Sequence, residues 1–220
     1  MTALSHFQSS IAAADHLVAM YAELRRSRAL GARGRLNAAN ADLLSLPRAA
    51  VVASMSALDA YVHAVLHDRI PVLLRQNPVP DAICELMADA IPIKNASTFR
   101  GALPLLAAAD SLTEIFARVK ENTLAFLSYQ APAKIISAYD LIGHTNIFER
   151  VADLWQGPGT EANDLKRHLA AYAKRRNQIA HEGDQEVSGQ PRPMQPQYAQ
   201  GCRDFVEGLV TRMNRVVYGI

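Results

Sequence analysis

Three side chains near the end of one segment could handle a proton and a phosphate. In "AYAKRRNQIAHEGD", Ala171 to Asp184, an arginine, an amide and a histidine stand at Arg176, Asn177 and His181. Asn177 and His181 are four residues apart, so on a helix they share a face. Arg176 lies about 140° around the helix from His181 at 100° per residue. A side chain that long can still swing toward the histidine near a helix end. The last turn of a helix favours a cation, and histidine is the side chain that changes charge near neutral pH. A titratable imidazole, a permanent cation and an orienting amide suit phosphodiester cleavage. The histidine moves the proton, the arginine offsets charge developing on phosphate, and the amide orients one or the other. No metal and no cofactor are needed for that chemistry.

The segment around these residues is basic. From Leu165 to His181 it carries Lys166, Arg167, Lys174, Arg175 and Arg176 with no Asp or Glu. A helix tuned only for solubility mixes signs to gain i,i+4 pairs. This bias suggests a surface facing an anion, with Lys166, Arg167, Lys174 and Arg175 as backbone-gripping cations. The competing reading is a solvated face whose acids come from elsewhere in the fold.

The elements that must position this segment are helical. Phe7, Ile11, Ala14, Val18, Tyr21 and Leu24 recur at steps of three and four, predicting a helix over about 5–28. Val51, Met55, Leu58, Val62, Val65 and Leu66 mark the buried face of a second, entered at Pro47 and running to about Asp68. Pro71, Pro78 and Pro80 punctuate the chain. Shorter helices follow: one capped by Asp81, one started near Ser97, then 111–127 and 132–142. Asn146 with Glu149 reads as a capping box for a helix through Trp155. Thr160 opens the helix that carries Arg176 and His181, and Gly183 is a good residue to stop it. Tyr198, Cys202, Phe205, Leu209, Met213 and Val216 mark a last long helix. Convincing period-2 strands with hairpin turns are missing. The expectation is an all-α single domain over residues 1–220, a helical bundle with short helices inserted in its middle.

"RNQIAH" resembles the Arg-x4-6-His motif of the HEPN superfamily, whose first intervening residue is usually polar and often Asn. Arg176, Asn177 and His181 fill those positions with four residues between Arg and His. "VVASMSALDAYVHAVL" is similar to the second helix of RiboL-PSP-type HEPN proteins, with Asp59 where a Glu recurs. The resemblance spans about 5–218. It implies an α-helical bundle that dimerises with two motifs facing each other. It also implies a metal-independent endoribonuclease of toxin–antitoxin or phage-defence systems, using the RNA 2′-OH and leaving a 2′,3′-cyclic phosphate. RNA, a second copy of the chain and an antitoxin protein are the implied partners. One subgroup carries His-x-Tyr after the Arg. Here Glu182 and Gly183 follow His181, which argues against toxins paired with a nucleotidyltransferase antitoxin. A HEPN-fold binding or dimerisation module that does not cleave is the competing class.

The remaining candidates are weaker. Asp59 could orient Arg176 or His181, or be a boundary acid. His63 and His67, four apart, resemble half of a metal site, but a solvated face is the simpler reading. Arg25, Arg26, Arg28, Arg33 and Arg35 could grip RNA backbone. Trp155 is most simply core. Cys84 and Cys202 have no ligand-spaced partners and fall on apolar stripes, so buried free thiols are expected. A net charge of +2 with half the residues hydrophobic is ordinary for a soluble protein. The N-terminus lacks a signal-peptide pattern and no apolar stretch reads as long enough to span a bilayer, so a cytoplasmic protein is expected.

Overall fold

Why these residues form a bundle is clearest at the second long helix. A computed structural model of the chain describes residues 2–31, 36–91, 93 and 95–220. Among these, the helices are α1 (Ala3–Ser27), α2 (Ser45–Leu73), α3 (Asp81–Ala90), α4 (Ala96–Leu106), α5 (Ser111–Asn122), α6 (Pro132–Leu141), α7 (Ile147–Leu154), α8 (Ala162–His181) and α9 (Pro196–Tyr218). Tight 3-10 turns cover Ala38–Leu44 and Leu124–Phe126. No strand occurs among the described residues, only an isolated bridge between Gln185 and Pro191. The all-α class expected from the periodicity is what the chain adopts.

Helix α2 is the axis. It packs against α1, α9 and α8, while α7 bridges α8 and α9. The expected face, Val51 to Leu66, is buried to 1% exposure or less, and Ala50, Ala57, Tyr61 and Ile70 are buried as well. A helix apolar on so much of its circumference belongs in the middle of a core. That burial also carries α2 past Pro71, where a stop was expected. The proline forfeits one backbone hydrogen bond in the last turn, but Ile70, Leu73 and Leu74 are all buried there, and Arg75 donates to the Pro71 carbonyl at 3.1 Å. The stretch Ala38–Leu73 is, contrary to expectation, long and apolar enough to cross a bilayer, yet over half of its apolar 18-residue window is buried inside the bundle.

Several helix starts differ from expectation in how they are capped. Asn95, not Ser97, caps α4, in a reciprocal box with Thr98. Asp81 lies in the first turn of α3 after Pro80 and caps nothing. Asn146 precedes α7 in a left-handed conformation with no side-chain cap bond. The Thr160 hydroxyl donates to Gly157 O at 2.7 Å, and α8 starts two residues later. Cys202 is buried, but Cys84 is exposed: α3 turns Ile83 and Met87 inward instead.

Two helical glycines make opposite predictions. A Cβ on Gly101 meets nothing within 4 Å, whereas one on Gly208 would lie 2.7 Å from two ring carbons of Trp155. That ring cannot yield freely, since it stacks on Phe205 at 5.7 Å and carries the Arg212 guanidinium at 4.3 Å. Gly101→Ala should stabilise by about 0.5–1 kcal/mol through helix propensity. Gly208→Ala should lose that gain to about 1–3 kcal/mol of overpacking. Urea midpoints of the two variants should therefore move in opposite directions.

Candidate functional site

Helix α8 owes its orientation to Leu165, Leu169 and Ala173, buried at four-residue steps. Lys174, well around the helix from that row, and Asn177, one turn beyond Ala173 near the helix end, are both exposed. The helix stops because Gly183 and Asp184 both adopt left-handed backbone, φ +65° and +56°. The Glu182 and Asp184 N–H groups both donate back to Gln178 O, at 3.2 and 2.9 Å.

At this end the three motif residues converge. Arg176 Nη1 donates to Asn177 Oδ1 at 3.1 Å and lies 3.2 Å from His181 Nε2. A guanidinium has no lone pair to offer, so in that contact Nε2 must accept and the neutral ring carries its proton on Nδ1. His181 and Asn177 are exposed, and Arg176 is half-buried with its Nε enclosed and unpaired. The swing of Arg176 across 140° of helix is thus realised. The result is an exposed imidazole with its Nε2 lone pair beside a cation.

The surrounding cations are mostly engaged. Lys166 pairs with Glu149 of α7 at 2.7 Å, Arg167 with Asp164 at 2.6 Å, and Arg175 with Asp184 at 2.6 Å. Of the four proposed RNA-gripping residues, Lys174 alone has no acid partner among the described residues. The bias read from 165–181 is therefore largely compensated by acids outside that window, Asp164 and Asp184 flanking it and Glu149 reaching in from α7. The arginines at the end of α1 are also engaged: Arg25 is buried on Tyr21 and Gly31, and Arg28 forks onto Asp42. Arg26 reaches back to Ala22 O at 3.4 Å. Arg33 and Arg35 lie outside the described residues.

Asp59 does not orient the motif. Its carboxylate accepts the Tyr129 N–H, pinning the segment before α6 to α2. His63 and His67 are not a solvated face either. The His63 ring packs edge-on to Tyr129 at 4.8 Å and its Nε2 reaches Leu127 O at 3.2 Å. His67 packs edge-on to Phe116 at 6.3 Å, with Nε2 enclosed and unpaired. No three His, Cys, Asp or Glu side chains converge as metal ligands among the described residues. Both histidines line a cavity of about 850 Å3 with His6, Asp68 and Tyr218. It opens 12 or more residues along α2 from Arg48, some 18 Å or further at 1.5 Å per residue, and includes no motif residue.

No family model, no curated protein and no solved structure matches this chain. Geometry therefore carries the functional reading.

Asp184 and Arg48 complete the region. Asp184, 3% exposed, takes Arg175 on one side and Arg48 on the other. Gly183 is legible in the sequence as a helix stop, but nothing local signals that its neighbour meets an arginine 136 positions away.

His67 is one contributor to the pH response of the fold. Burial, then Lys120 and His63, push the His67 ring down to about 4. Its folded value is below the unfolded value of about 6.5, so the unfolded chain takes the proton first. Stability is complete above about 6.5 and is lost as pH falls through about 4. With the ring only half-buried, about 1–2 kcal/mol is expected after discounting for solvent screening. Melting temperatures from pH 7 to 4 should fall less steeply in His67→Gln than in the parent.

Proposed function

We propose that this chain is a HEPN-type, metal-independent endoribonuclease acting in the cytoplasm as a homodimer. The observation that carries the reading is the convergence of Arg176, Asn177 and His181 at the exposed end of α8, with the His181 Nε2 lone pair toward the arginine. In the reaction, RNA's 2′-oxygen attacks the adjacent phosphorus and His181 Nε2 takes the 2′ proton. The P–O5′ bond breaks, leaving a 2′,3′-cyclic phosphate, and the departing 5′-oxygen is protonated by an acid. Arg176 trades its histidine contact for the phosphate oxygens, where negative charge grows. A single motif supplies a base and a cation but no separate acid. A two-fold axis through this end of α8 brings a second His181 to that task. A toxin or phage-defence effector, held in check by an antitoxin protein, is the biological setting that fits such an activity.

The engagement of Lys166, Arg167 and Arg175 by acids favours the second reading, a HEPN-fold binding or dimerisation module without turnover.

Purified protein incubated with structured and unstructured RNAs tests the first reading. Cleavage should persist in EDTA and give cyclic phosphate ends. Light scattering should give twice the chain mass of 24.0 kDa. A monomer at micromolar concentration that stays monomeric with RNA would count against the shared cleft.

A further inference from the structure

We infer that Asp184 is a positioning residue for His181, acting through Arg175 and Arg48 to lock the last turn of α8. The link to catalysis rests on the ribonuclease reading. The link to the histidine's geometry does not.

Asp184 is buried where the chain leaves α8, and every polar group on it except Oδ1 is hydrogen-bonded. Its N–H donates to Gln178 O at 2.9 Å, and its own carbonyl accepts from the Arg192 N–H at 2.7 Å. On the side chain, Oδ2 accepts from Arg175 Nη2 at 2.9 Å and from Arg48 Nε. Oδ1 lies 2.6 Å from Arg175 Nη1, in ion-pair range but off the hydrogen-bond direction. The two arginines reach onward. Arg175 Nη2 donates to Pro193 O at 3.0 Å, while Arg48 donates to Arg192 O at 2.8 Å and to Leu44 O at 3.1 Å. One carboxylate thus ties together the end of α8, the start of α2 and the returning segment 192–193.

That knot bears on His181 for two geometric reasons. First, helix ends fray unless their carbonyls are satisfied, and Asp184 supplies one of the two N–H groups on Gln178 O. Were the last turn to open, the 3.2 Å contact between Arg176 and His181 would not survive, because it needs helical register through residue 181. Second, Arg175 and Arg176 are consecutive, so their side chains leave α8 about 100° apart. Drawing Arg175 inward onto Asp184 fixes the rotation that leaves Arg176 beside His181. An Arg192–Glu182 pair at 3.4 Å adds a weaker tie across the same turn.

The experiment is NMR of the full-length protein with 15N-labelled histidine. The His181 ring is assigned by its loss in His181→Ala. Parent protein should show that ring with the proton on Nδ1. In Asp184→Asn, and more weakly in Arg48→Met, the ring nitrogens should move toward the averaged shifts of a free, tautomer-exchanging imidazole, with the other histidine signals in place. If the parent cleaves RNA, kcat should fall tenfold or more in Asp184→Asn with a smaller change in KM. Asp184→Asn leaves two arginines without their anion and is the variant at risk of not folding. In that event Arg48→Met, which keeps the Arg175–Asp184 pair, decides alone. Unchanged His181 nitrogens in a folded variant overturn the inference. A parent that cleaves no RNA but shows the ring shifts would retire the nuclease and keep the positioning role.

Discussion

His181→Ala should stop RNA cleavage and leave the fold standing. Loss of a general acid or base costs about 10²–10⁴-fold in rate, and the variant should show that loss in kcat. Stability should change by about 1 kcal/mol or less, a shift of roughly 2–4 °C in melting temperature for a chain this size. The asymmetry follows from position. The ring is exposed, its recorded partner is Arg176, and it contributes nothing to the buried cluster. Arg176→Ala should cut turnover strongly too, since no neutral side chain supplies charge to the phosphate. It should also cost some stability, because the enclosed Nε shows that its stem is packed against α8's surroundings. Asn177→Ala should be mildest, an amide being able to orient but not to transfer. The measurement is single-turnover cleavage beside thermal melts for all three. Equal cleavage by parent and His181→Ala would move the site to the binding-module reading.

Phe148→Ala should produce the reverse pattern, large in stability and with the site chemistry intact until the fold gives way. Phe148 is fully buried on α7, with the Lys166 ammonium 5.7 Å over its ring. Helix α7 rests on both α8 and α9, so this ring backs the helix that carries the motif. Removing it deletes apolar contacts and leaves a cavity in a close-packed interior. Such truncations cost about 3–5 kcal/mol, which corresponds to roughly 6–20 °C in melting temperature. Chemical denaturation with an unchanged slope would show a true stability loss. A drop below 1 kcal/mol would mean that α7 is a peripheral strap rather than part of the core.

Much of this molecule was legible before any tertiary contact was known. Helix content and the buried faces of α1, α2 and α9 follow from apolar steps of three and four, because burial against a neighbour selects one face whatever that neighbour is. The stop at Gly183 was legible for a local reason: its left-handed φ costs glycine little. The meeting of Arg176, Asn177 and His181 was legible as well, since residues within one and a half turns have their separation set by helix geometry. What α8's other charges do was not legible. Lys166 and Arg175 read as free cations until Glu149 and Asp184 come into place, and Arg48 lies 136 positions from the acid it meets. Asp59 fits a family-like stretch, yet its carboxylate is spent on the Tyr129 N–H, 70 positions away. Long-range pairing depends on which helix ends the packed core brings together, and a charge in a sequence carries no record of its partner. Local periodicity therefore determined the elements and the motif, while packing alone decided which of the charges remain free to act.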